Sequence, residues 1–385
     1  MKRTTLSIMA FAFGLTALFA QQAIFERQNI VSPQKNDDGT VTLRLLAPAA
    51  QKVEVMGDCI DGYRKEMTKG ENGVWTFTTQ PLAPELYSYR FYADGVELQD
   101  PANWHRSRDV RSFMSTFIIS KEEGDCGYLY GNHDVPHGNI QQVWYDSKTL
   151  GMSRRMSIYT PAGYEKGGNY PVLYLLHGMG GDEDAWLTLG RASQVLDNLI
   201  AAGKAVPMIV VMTNGHADND ASPEFTALQQ RGRQKASFEE SFPEIKSYIE
   251  KNFRVKKGAD NTAMCGLSMG GFHTFHISLM NPGMFGYLGL FSAAVRMDRN
   301  SNKSIDQQIA EDAEVSGQIA AVFKAKPHLY WIGIGKTDFL YEQNKGLRAY
   351  LDKMQYPYEY FENEDGHIWR NWRIYLSIFT QKLFK

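Results

Sequence analysis

Cys265-Gly266-Leu267-Ser268-Met269-Gly270-Gly271 is the stretch that decides how the second half of this chain folds. Before it runs Asn261-Thr262-Ala263-Met264-Cys265, short and apolar, as a buried strand is. After it, Phe272 to Met280 is apolar and helix-compatible, and Asn281-Pro282-Gly283 stops it. A strand, a tight turn and a helix around G-x-S-x-G hold a serine hydroxyl exposed above a parallel sheet. Gly266 and Gly270 sit where strand and helix converge, so a Cβ at either position would collide.

A nucleophilic serine needs a base, and the base needs an acid to orient it. In such a sheet the chain order is serine, acid, histidine. Of nine histidines, His273 and His276 fall on the helix after the turn and read as packing residues. His328 opens the strand His328 to Ile334, at the wrong edge of the sheet. His367 lies in the polar loop Glu364-Asp365-Gly366-His367, after the strand Tyr358 to Phe361 and before an amphipathic helix. It is the expected base. Asp338 follows the apolar run Leu329 to Gly335 and is the expected acid, with Asp298 and Asp365 as rivals.

Charge developing on a carbonyl oxygen needs preset donors. The buried strand Tyr170 to Leu176 ends in His177-Gly178-Met179-Gly180-Gly181, where glycines let the backbone turn its amides toward a ligand. The N–H groups of Met179 and Met269 are the expected pair, and His177 reads as a residue that fixes this turn. The polar stretch Thr213 to Ser237, with Asn214 and His216, should overhang the site and shape a pocket. Trp186 and Trp369 are expected to line it.

These residues resemble the family 1 carbohydrate esterases, which include feruloyl and acetylxylan esterases and are near relatives of esterase D. The resemblance is carried by Arg155 to Pro161, Tyr170 to Gly181, Gly266 to Gly271, Gly335 to Phe339 and Gly366-His367-Ile368-Trp369. It implies an α/β-hydrolase fold over residues 137–385, with Ser268 as nucleophile, Asp338 as acid, His367 as base, and Met179 and Met269 as oxyanion donors. It implies a feruloyl esterase acting on acylated plant cell-wall polysaccharide, needing no cofactor. The alternatives are an acetylxylan esterase, an acyltransferase of the same superfamily, and a glycan-binding protein that has lost catalysis.

The first part of the chain reads differently. Val41 to Leu46, Lys52 to Met56, Gly73 to Thr78 and Leu86 to Tyr92 are short alternating strands between turn signals, with Ser115 to Ser120 as a last strand. This spacing predicts a β-sandwich over 21–125, followed by a linker over 126–136. Gly73-Val74-Trp75, Tyr87 to Phe91 and Asp100-Pro101 resemble the early-set, immunoglobulin-like sandwich of carbohydrate-binding module family 48. Trp75, Trp104, Tyr89 and Tyr92 are candidates for stacking on sugar rings, and core packing is the favoured expectation for them.

Lys2 and Arg3 followed by apolar Leu6 to Phe19 read as a signal peptide over 1–20, and export is expected. Losing Lys2 and Arg3 takes the net charge from −2 to −4, which argues against nucleic acid and anionic membrane partners. No membrane insertion of the mature chain is expected. Cys59 and Cys126 could pair in an oxidising compartment, Cys265 reads as a core residue, and no spacing reads as a metal site.

Overall fold

The computed structural model describes residues 30–110, 112–223, 236–295 and 301–385. The expected signal peptide and the rival acid Asp298 lie outside these residues. The chain divides into two compact units, Met1–Leu82 with Ser88–His105, and Ala83–Tyr87 with Arg106–Lys385.

The first unit is built from short antiparallel strands. Val41–Leu46 pairs with Gln34–Lys35 and Val74–Thr78, and Val53–Gly57 pairs with Arg64–Glu66. Alternate side chains point inward, as period 2 requires. Val41, Leu43, Val53, Val55, Tyr89 and Phe91 are buried. Trp75 is buried as well, so of the aromatics considered for sugar stacking only Trp104 is largely exposed, at 84%. Residues 106–136 belong to the second unit: Ser112–Ile119 forms a hairpin with Arg106–Asp109, and Cys126–Tyr130 is a helix capped by the Asp125 side chain. Cys59 and Cys126 are both free.

The second unit centres on an eight-stranded sheet. Its strands are β1 (Asn139–Ser147), β2 (Met152–Thr160), β3 (Val172–Leu176), β4 (Ile209–Thr213), β5 (Thr262–Leu267), β6 (Tyr287–Phe291), β7 (Leu329–Gly335) and β8 (Glu359–Asn363). Their order is β1-β2-β4-β3-β5-β6-β7-β8, and β2 runs antiparallel to its neighbours. The central strands are apolar throughout because helices cover both faces. Tyr174, Leu176, Met264, Leu288 and Ile332 face one side. There they meet α2 (Phe238–Asn252), α3 (Met269–Met280) and α4 (Tyr341–Lys353). Leu173, Leu175, Ala263, Cys265 and Trp331 face the other side, against α1 (Ala192–Ala201) and α5 (Trp369–Thr380). Each such Leu or Ile contributes about 1.5–3 kcal/mol by leaving water.

The five residues Ala83–Tyr87 enter this unit from within the first one. Glu85 meets Arg373 of α5, and both side chains are almost fully buried. Arg373 donates Nε and Nη2 to Glu85 Oε1 at 3.2 and 2.9 Å, and reaches the carbonyls of Leu189 and Leu86 at 2.9 and 3.0 Å. Burial pushes the Glu85 carboxyl up, and the Arg373 charge pulls against it. Among the described residues no helix is long and apolar enough to cross a membrane.

Candidate active site

The carboxyl ends of β5, β7 and β8 carry the three expected catalytic residues. Ser268 stands between β5 and α3 with φ 55° and ψ −111°. A non-glycine residue there carries strain of order 1–3 kcal/mol, and such strain persists only where its surroundings hold it. Here the surroundings do so. Ser268 N–H donates to the Phe291 carbonyl at 2.9 Å, and its own carbonyl accepts from Phe272 and Ala294 at 3.0 and 3.1 Å. With the backbone tied down, the side chain is left at the sheet edge. The glycines make the close approach possible. A Cβ on Gly266 would lie 2.4 Å from the Gly270 carbonyl oxygen, and one on Gly270 would lie 2.4 Å from that of Leu176.

Asp338 and His367 come together although 29 residues separate them. The His367 Nδ1 lies 3.0 and 2.9 Å from the two carboxylate oxygens of Asp338, so its N–H donates to the Asp338 carboxylate. The carboxylate also accepts the Leu340 N–H at 2.8 Å and is fully buried. The imidazole ring packs between Phe339, at 4.4 Å, and Trp372, at 4.9 Å. The two loops are joined by Thr337 N–H donating to the Asp365 carbonyl. The Asp365 carboxylate points elsewhere, 3.4 Å from Arg370.

The glycine turn expected to serve as the oxyanion turn, His177 to Gly181, abuts the serine: a Cβ added to Gly178 would lie 3.4 Å from Ser268 Cβ. His177 holds this turn from beneath. Its Nδ1 bonds the Gly178 carbonyl at 2.7 Å, and its Nε2 accepts the Gly215 N–H at 2.8 Å. A peptide plane carries its C=O and N–H in opposite directions. Fixing the Gly178 carbonyl therefore aims the Met179 N–H the other way. The hydrogen bonding requires a neutral ring, and burial pushes the His177 imidazole down to about 3. Unfolded, it titrates near 6.5. Between those values the unfolded chain binds more protons than the native one, so stability falls as pH drops from 6.5 toward 3, by up to about 1.4 kcal/mol per unit. Urea titrations at pH 7 and 5.5 should show this loss, and His177→Gln should flatten the slope.

Several expected site residues stand elsewhere. Trp186 is 1% exposed and donates its indole N–H to the Leu176 carbonyl at 2.9 Å, so it is a core residue under the site and not a pocket wall. Trp369 is half-buried, edge-on to Trp186 at 5.3 Å and to Trp372 at 5.2 Å. Asn214 is buried, donating to Glu183 at 3.2 Å and accepting the His216 N–H at 3.0 Å; it ties two loops together and does not face a ligand. His273 is buried against Glu239 at 2.5 Å. Burial pushes the Glu239 carboxyl up, but the His273 hydrogen bond and charge outweigh that and hold it at about 2. Among the described residues, exposed apolar side chains near the site include Met179, Val110 against Gly180, Phe339 after Asp338 and Ile368 after His367. Phe339 could have been found from its place one residue after Asp338. Among the described residues no cluster of three or more His, Cys, Asp or Glu is placed to hold a metal ion.

Comparison with known proteins adds to this geometry. Residues 147–379 match the Esterase family model, and residues 31–104 match carbohydrate-binding module 48, the isoamylase N-terminal domain. An endo-1,4-beta-xylanase/feruloyl esterase of Xylanibacter ruminicola is 36% identical over 271 residues, 69% of this chain and 36% of that relative. The chain thus spans about a third of the length of the first curated relatives it matches. The solved ferulic acid esterase of Anaeromyces mucronatus shares 22% identity at a TM-score of 0.51, over 73% of this chain and 97% of that one. The enterobactin esterase of Shigella flexneri shares 18% identity at a TM-score of 0.67, over 91% of this chain and 94% of that one. At these identities the two solved structures speak to the fold, an α/β hydrolase preceded by a β-sheet domain.

Proposed function

The chain belongs to the Esterase family, and on that footing we propose that it is an exported serine carbohydrate esterase that removes hydroxycinnamoyl groups from xylan-derived saccharides. The observation that carries the hydrolytic part is the His367–Asp338 pair at the same sheet edge as a strained Ser268. Ser268 Oγ attacks the ester carbonyl and His367 takes its proton. Asp338 holds the ring in the tautomer that leaves Nε2 free and stabilises the imidazolium that forms. The oxyanion rests on the Met179 and Met269 amides, each such donor worth about 3–4 kcal/mol. The sugar alcohol leaves with the proton from His367. Water then attacks the acyl-enzyme by the same route and frees the acid.

The acyl preference is supported by the exposed apolar side chains near the site and by the relative named as a xylanase/feruloyl esterase. Phe339 is 74% exposed and lies against the His367 ring, so a planar aromatic acid bound there would cover apolar surface on both partners. Such burial yields about 25 cal/mol per Å², and an acetyl group has little area to bury. The apolar run Leu6 to Phe19 behind Lys2 and Arg3 supports export. The test is kcat/KM for methyl ferulate against an acetylated xylo-oligosaccharide, with Ser268→Ala as the blank. Ferulate should be preferred. A clear preference for acetyl would replace the feruloyl reading with that of an acetylxylan esterase.

A further inference from the structure

The oxyanion turn is braced by a second imidazole that the reaction does not use directly. Gly180, at φ +81°, donates its N–H to His216 Nε2 at 3.1 Å. An imidazole nitrogen that accepts an N–H carries no proton of its own, so the ring is neutral with its proton on Nδ1. The Gly180 N–H lies on the peptide plane after Met179. Tying that N–H to His216 fixes the Met179 carbonyl in the opposite direction. His177 fixes the plane before Met179, and His216 fixes the plane after it. Glycines on both sides make this turn easy to flip, and a flip would bring a carbonyl oxygen to where the developing anion needs a donor.

The bracing extends inward to the sheet. Arg154 of β2 is completely buried, and its guanidinium donates to three carbonyls of the loop that carries His216. Nε reaches Asn219 at 3.1 Å, and Nη2 reaches Asn214 and His216, both at 2.7 Å. Glu183, four residues beyond Met179, accepts from Asn214, from the Ser222 N–H at 2.7 Å and from Arg155 Nε at 2.8 Å. The loop after β4 is therefore a rigid strut between the sheet and the oxyanion turn.

We propose that His216 is a positioning residue for the oxyanion hole, holding the 179–180 peptide in the orientation that keeps the Met179 N–H aimed at the reacting oxygen, with Arg154 anchoring His216 itself. This rests on the esterase reading above. His216→Leu removes the acceptor. It should lower kcat about 10- to 100-fold, less than the roughly 10²–10³ lost when an oxyanion donor is removed outright, and should leave KM within about twofold. Affinity for an aryl boronic acid, whose tetrahedral adduct on Ser268 places an oxygen in the hole, should fall by a similar factor. His216→Gln offers an amide oxygen near the Nε2 position and should restore most of both. If the leucine variant does not fold, His216→Asn is the comparison, since its shorter amide cannot reach Gly180 and should remain defective where the glutamine variant recovers. Unchanged kcat in His216→Leu, a fall in kcat without a fall in boronate affinity, or equal activity of the asparagine and glutamine variants would overturn the proposal. Failure of the esterase reading looks different: Ser268→Ala would keep wild-type activity, and boronate would not inhibit the wild type.

Discussion

Replacing Ser268 with glycine should abolish ester hydrolysis and raise the melting temperature at the same time. The loss of rate follows from removing the nucleophile, which in a serine hydrolase costs about 10⁶ in kcat. The gain in stability follows from φ 55° and ψ −111°, a conformation that glycine adopts freely and serine does not. Relief of strain of order 1–3 kcal/mol is partly offset by the greater freedom of glycine in the unfolded chain. The net gain should be a few degrees. Ser268→Ala separates the two effects, being equally inactive but without the gain. Steady-state rates on methyl ferulate and scanning calorimetry of the three proteins are the measurements. Residual activity above about a tenth of wild type would remove Ser268 from the role of nucleophile. Equal melting of the glycine and alanine variants would remove the strain argument alone.

Asp338→Asn should cost about 10⁴ in kcat, the loss seen when a triad acid becomes an amide. Asparagine presents an NH₂ group to His367 Nδ1, which favours the tautomer with its proton on Nε2. The nitrogen that must accept the serine proton is then already protonated. Asp365→Asn should be mild, since that carboxylate faces Arg370 and only its main-chain carbonyl serves the site. Asp298→Asn is the third member of the series. A silent Asp338→Asn beside a crippled Asp298→Asn would move the acid to the segment after β6.

Much of this was legible in the sequence because it depends on local rules. Gly266 and Gly270 had to be glycine for strand and helix to converge, Asp338 followed an apolar run with the length of a strand, and His367 followed the short strand Tyr358 to Phe361. Burial was harder to read. Trp186 follows a glycine-rich turn, as a pocket aromatic would, but its indole N–H finds the Leu176 carbonyl and so the whole ring can be buried. Asn214 looked like a loop residue shaping the substrate pocket. Its burial depends on Arg154, sixty positions earlier, and on Glu183, and no local pattern announces such partners. Residues 112–119 alternate as a sandwich strand does, and they pair in the same sheet as Glu85–Ala93.

The excursion of Ala83–Tyr87 has an evolutionary consequence. Domains joined end to end can be exchanged by recombination at the junction. Here the catalytic unit borrows five residues from inside the preceding one. A gene that began at residue 106 would lack Glu85 and would leave the Arg373 guanidinium buried without its carboxylate, a defect of about 3–5 kcal/mol. Swapping in a foreign sandwich would do the same unless it brought an acidic residue at that point of its own strand. The two units should therefore travel through lineages as one heritable piece, and trees drawn from either half of the gene should branch alike.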